Sequence, residues 1–158
     1  MRYFLTMILA VMVLGGCSGS KAGKKVPAGV PEDFSLYIYH QGCRGTCPDY
    51  WIKVDAKGNA EYKGRRAVEM MGYYTKVLEG KVVKELVDQI KKAKFFEMED
   101  VYGGGVADLP EIHTTITMDG EKKKVVDIRY APQELKDLEA ALETLVGKEG
   151  WEKTEEKN

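Results

Sequence analysis

The chain has 158 residues, with 24 Lys and Arg against 25 Asp and Glu and a formal net charge of −1. The near balance, with no long block of one sign, argues against nucleic acid as a partner. Setting aside an N-terminal leader leaves about 140 residues, one domain's worth, able to bury about two-thirds of its unfolded surface without metals or many disulfides.

Met1 and Arg2 form a minimal positive start, and Tyr3 to Leu14 run apolar with Thr6 as the interruption. A transmembrane helix needs about 20 apolar residues, more than this run supplies. Its length and flanks fit a secretory leader. Leu14-Gly15-Gly16-Cys17 resembles the lipobox of bacterial lipoproteins, which implies cleavage after Gly16 and acylation of Cys17. A signal peptide is therefore expected over 1–16, and the lipidated cysteine with a flexible tether over 17–31. Each buried CH₂ contributes about 0.8 kcal/mol, so two or three acyl chains would anchor the protein to a membrane. Ser18 is not the acidic retention residue of the enterobacterial kind, which favours the outer membrane and a domain facing the periplasm.

Beyond the tether the periodicity is first that of strands. Phe34, Leu36 and Ile38 alternate with Ser35, Tyr37 and Tyr39, and Tyr50, Ile52 and Val54 with Trp51, Lys53 and Asp55. A turn over Asp55–Asn59 returns the chain into Ala60–Lys63, and a further strand is expected over Tyr73–Leu78. Val82, Val83, Leu86, Val87 and Ile90 then share one face of a helix, with Phe95 and Phe96 closing the core. Glu97–Glu111 is irregular and contains Gly103 to Gly105. Ile112–Met118 and Lys124–Ile128 flank Asp119-Gly120 as a hairpin. Pro132 opens a second helix with Leu135, Leu138, Leu142 and Leu145 as its stripe, and Gly147 stops it. The order ββββαββα predicts an α+β fold over 32–147: an antiparallel sheet of about six strands with two helices on one face. The charged segment 148–158 is expected to fray, with Trp151 as its one docking residue.

With Cys17 committed to lipid, Cys43 and Cys47 remain as a pair in an oxidising compartment, where a disulfide is expected. So small a loop contributes only about 2 kcal/mol in the chain-entropy account, and its main effect is to pin Arg44-Gly45-Thr46. The alternative is a metal-binding or thiol-redox centre on Cys43, Cys47, His40 and His113, the last two being the two histidines of the chain. Against redox catalysis, the spacing is C-x₃-C rather than C-x-x-C.

The run Cys43-Arg44-Gly45-Thr46-Cys47-Pro48-Asp49-Tyr50 resembles the signature of DUF6438, a bacterial domain of unknown function. Asp55-Ala56-Lys57-Gly58, Glu61-Tyr62-Lys63-Gly64, Phe95-Phe96, Asp108-Leu109-Pro110 and Ala131-Pro132-Gln133-Glu134-Leu135 are similar to further family features. Arg44 stands where that signature leads one to expect an aromatic. The resemblance spans about 34–146 and implies domain boundaries, but no activity.

No serine-nucleophile elbow and no HExxH is present, and the glycine run lacks the Lys-Ser or Lys-Thr of a phosphate loop. The acids Glu97, Glu99, Asp100, Asp108 and Glu111 do not follow EF-hand spacing. No pattern asks for a cofactor. If Leu36 and Ile38 face the helices, Tyr37, Tyr39 and Trp51 project from the other side of the sheet, an aromatic surface suited to recognition beside the turn at Arg44. The expectation is a membrane-anchored extracytoplasmic, non-enzymatic binding module with an envelope protein or a glycan as partner.

Overall fold

The computed structural model describes residues 25–104 and 108–155. Cys17, the leader and the first part of the expected tether lie outside the described residues. The elements are β1 (Ser35–Gln41), β2 (Asp49–Asp55), β3 (Asn59–Arg66), β4 (Gly72–Val77), α1 (Gly80–Lys92), β5 (Val101–Tyr102), β6 (Glu111–Met118), β7 (Glu121–Asp127), α2 (Gln133–Val146) and β8 (Glu152–Thr154). All eight strands join one sheet in the order β5-β7-β6-β1-β2-β3-β4-β8.

The α+β class and both helices agree with the sequence pattern, but the sheet does not match a six-stranded antiparallel one. It is mixed, because β5 runs parallel to β7 while the other pairs are antiparallel. The two additional strands span two and three residues, too short to show a period. β5 is placed by long-range bonds. Val126 N–H donates to the Asp100 carbonyl at 2.9 Å and Ile128 N–H to that of Tyr102 at 3.0 Å. β8 instead follows Trp151, whose indole N–H donates to the Gly147 carbonyl at 3.1 Å. Segment 148–155 is thus part of the domain rather than a frayed tail. Short edge strands also limit edge-to-edge pairing.

Turn chemistry fixes the hairpin registers. Asp55 Oδ1 accepts the N–H groups of Lys57 and Asn59, both at 2.9 Å, the side-chain turn mimicry typical of Asp. At Gly58, φ is +83° and a Cβ would lie 2.7 Å from the Leu78 carbonyl oxygen, so only glycine fits. The β6–β7 turn has positive φ at Asp119 and Gly120. Its two N–H groups donate to the Asp33 carboxylate at 3.0 and 2.7 Å.

The core lies between one sheet face and the helices. Leu36, Ile38, Val54, Ile116 and Val125 from the sheet meet Val83, Leu86, Val87 and Ile90 of α1 and Leu135, Leu138 and Leu142 of α2, all buried. Phe95 is fully buried behind α1. The packed domain begins before residue 32. Val30 is buried, Val26 packs on the core, and Pro27 approaches Gly80 at the start of α1. The last part of the expected tether therefore belongs to the fold, on the α1 side.

Candidate functional site

Pleating sends alternate residues to opposite faces, so β1 divides cleanly. Leu36 and Ile38 are buried under the helices, while Tyr37 and Tyr39 are half-buried on the face that carries no helix. Register extends this division across the sheet. Val126, His113, Tyr39, Trp51, Lys63, Tyr73 and Thr154 are successive cross-strand partners from β7 to β8. Directly opposed residues share a face, so His113, Tyr39, Trp51 and Tyr73 form an aromatic rung perpendicular to the strands. Four inter-strand spacings separate β6 from β4, about 19 Å.

Tyr37 lies beside this rung, its ring centroid 6.0 Å from that of Trp51, and Trp51 lies 6.0 Å from Tyr73. His113 meets Tyr39 edge-on at 5.6 Å and bonds Glu111 at 2.6 Å. The Arg65 guanidinium sits 5.6 Å from the Tyr39 ring centre. Burial raises the Tyr37 phenol pKa above its ordinary value, against the opposing charge of Arg65. Lys53 and Arg65 are exposed around the rings, and Glu61 is half-exposed. Rigid aromatic area is thus interleaved with charges of both signs.

Cys43 and Cys47 form a disulfide at the tip of the β1–β2 hairpin. Arg66 crosses from β3 to donate to the Cys43 carbonyl at 2.6 Å. Arg44 is exposed at this tip and pairs with Asp108 at 3.0 Å; it does not extend the aromatic rung. The four residues of the metal or redox alternative are not brought together. Both sulfurs are spent on the disulfide, and His40 and His113 occupy opposite faces, since His113 is opposed by Tyr39 and His40 by Ile112.

His40 instead joins a polar cluster beneath α2. It stacks on Tyr50, with centroids 4.4 Å apart and planes 10° from parallel. Glu143 Oε1 bonds the His40 Nε2 at 2.6 Å and accepts the Tyr50 hydroxyl at 2.7 Å. Burial alone would raise the Glu143 carboxyl, but these two partners, with Lys148 nearby, hold it below its ordinary value. Burial and the same carboxylate push the Tyr50 phenol far above its ordinary range. One turn earlier, Glu139 is 3% exposed and accepts the Thr114 hydroxyl at 2.8 Å through Oε1. Its Oε2 is buried without a partner, and burial lifts the carboxyl pKa to about 7.

Beside this cluster, α2, the β3–β4 connection and the chain entering β8 enclose a cleft of about 380 Å³, lined by residues that include Tyr50, Tyr62, Met70, Glu143, Lys148 and Trp151. Trp151 is half-buried 5.8 Å from Tyr62, with the Lys76 ammonium 4.5 Å from its ring centre. Lys76 also donates to the carbonyls of Val146, Gly147 and Glu149.

Part of this second site had a sequence signal. Positions 135, 138, 139, 142 and 146 make one helical stripe, and Glu139 is an acid lying on it. Glu143 lies one turn further on the same side. Nothing local to Trp151 or Tyr50 announces that they meet α2.

Among the described residues no helix is long and apolar enough to cross a membrane. The family model of a domain of unknown function, DUF6438, matches residues 34–146. No curated protein matches the chain.

Proposed function

We propose, from the premise that this chain belongs to the DUF6438 family of domains of unknown function, that it is a lipid-anchored extracytoplasmic module that binds glycan chains on its open sheet face. The single observation behind the reading is the rung of His113, Tyr39, Trp51 and Tyr73 across four adjacent pairings of one sheet. Aromatic faces are electron-rich, and the C–H faces of pyranose rings stack on them. The surrounding Lys53, Glu61 and Arg65 offer donors and acceptors to sugar hydroxyls. Charges so mixed suit a neutral, hydroxyl-rich chain better than a protein partner, because protein interfaces deplete Lys and Glu at their centres. About 19 Å of rung is long enough for several linked sugars.

The point of entry supports the same orientation. Val26, Pro27 and Val30 pack on the helix side of the domain. An anchor at Cys17 would therefore attach behind the helices and turn the aromatic face away from the bilayer. Acylation at Cys17 with residence in the outer membrane, facing the periplasm, belongs to this proposal.

The test is co-sedimentation of full-length protein, in mild detergent, with insoluble peptidoglycan and with chitin. Wild type is expected to pellet with at least one of these glycans, and Trp51→Ala or Tyr73→Ala to weaken binding at least tenfold while circular dichroism stays unchanged. Failure to pellet with either glycan, or full binding by both folded variants, contradicts the open-face reading. In cells, Cys17→Ser should move the protein from the membrane pellet to the soluble fraction; retention in the pellet contradicts the anchor.

A further inference from the structure

We infer that the cleft beside α2 is a second binding site, independent of the sheet face, for a small primary amine with an apolar body. The volume of about 380 Å³ falls within the ordinary range for small-molecule sites, which combine apolar walls with a few placed polar groups. Tyr50, Tyr62, Met70 and Trp151 supply those walls. The polar group is Glu143, whose side chain is 30% exposed where it lines the cleft.

Two features make Glu143 a receptor for a cation. His40 and Tyr50 both bond Oε1, which fixes the carboxylate. Oε2 has no hydrogen-bond partner among the described residues, so one acceptor edge remains for an incoming N–H. The lining carries two carboxylates, Glu69 and Glu143, and one ammonium, Lys148, with the Lys76 ammonium against the Trp151 wall, so the attraction for a cation is local to Glu143 and not a net charge of the cleft. An aromatic wall adds cation–π attraction, worth more when the site is desolvated. A primary ammonium fits better than a quaternary one because it can donate to Oε2. The disposition of Lys76 shows the same chemistry in the protein itself: an ammonium held over Trp151 while it donates to backbone oxygens.

The probe pair is benzylamine and benzyl alcohol, which share shape and differ in charge at neutral pH. Titration into full-length protein in mild detergent is followed by NMR at the Trp151 indole N–H and the Met70 methyl. Benzylamine should saturate both signals, with benzyl alcohol at least tenfold weaker. Glu143→Gln keeps an acceptor for Tyr50 and should bring benzylamine down to the alcohol's affinity. Met70→Arg, at the half-buried cleft wall, should abolish binding of both probes, and keeps the test decisive if the Gln variant does not fold. No saturable benzylamine binding, equal affinity for the two probes, or undiminished binding by folded Met70→Arg overturns the inference.

Discussion

Glu139 and Glu143 lie one turn apart on α2, yet their environments separate them. Glu143 keeps two bonded partners and some water, so its carboxyl is held below the ordinary value. Glu139 has a single hydroxyl donor, and burial lifts its carboxyl from 4.5 to about 7. A raised carboxyl pKa means that the folded state holds its proton longer than the unfolded chain. Stability therefore falls as pH rises from about 4.5 through about 7, and the full cost is present above that. Asp127 adds to the cost through like charge, while His40 and the Thr114 bond oppose it. Glu139→Gln should remove this slope: urea unfolding at pH 8 should show the variant more stable by up to about 3 kcal/mol, converging with wild type near pH 4.5. Parallel stability curves from pH 4.5 to 8 would mean that folding leaves the Glu139 pKa unchanged. Glu143 contributes in the opposite sense, its stabilisation being lost as pH falls through its depressed folded value.

At the scale of elements, β8 carries more than its three residues suggest. Trp151 enters ahead of it, bonded to the Gly147 carbonyl and packed on Tyr62. Lys76 of β4 ties the end of α2 to this segment through three carbonyls. Trp151→Ala should cost about 1–2 kcal/mol, less than the ~3–5 kcal/mol of a fully buried Trp because the ring is half-exposed. It should also speed amide exchange at Tyr73–Thr75, the β4 residues that pair with β8. Unchanged exchange there would mean that β8 forms without its tryptophan. β8 also shows where legibility in the sequence ended. Phe34, Leu36, Ile38 and the stripes of α1 and α2 could be read because burial on one face imposes a period over many residues. Tyr37, Tyr39 and Trp51 followed by complement, since what is not buried at period two faces the other way. Two- and three-residue edge strands hold too few positions to carry a period, and their pairing is settled by distant groups such as Lys76. The cleft was hidden for the same reason: Tyr50 lies 93 positions before Glu143 and meets it only through the packing of α2 on the sheet. His40 and His113 looked alike as chain letters, and register alone puts them on opposite faces.

The whole molecule is two-sided. One side of the sheet is packed under α1 and α2, with the polar cluster, the cleft and the entering chain from Val26 to Val30. The other carries the aromatic rung with mixed charges. A domain tethered behind its helices would present that rung outward, which is the geometry a surface reader of linear glycans needs. The most direct measurement is NMR mapping of full-length protein in mild detergent titrated with a β-1,4-linked N-acetylglucosamine tetramer. The account predicts saturable shifts concentrated at Tyr39, Trp51, Tyr73 and His113, with the Trp151 indole and Glu139 region unmoved. Saturable shifts centred on the cleft, or no shifts on the rung at saturating tetramer, would contradict it.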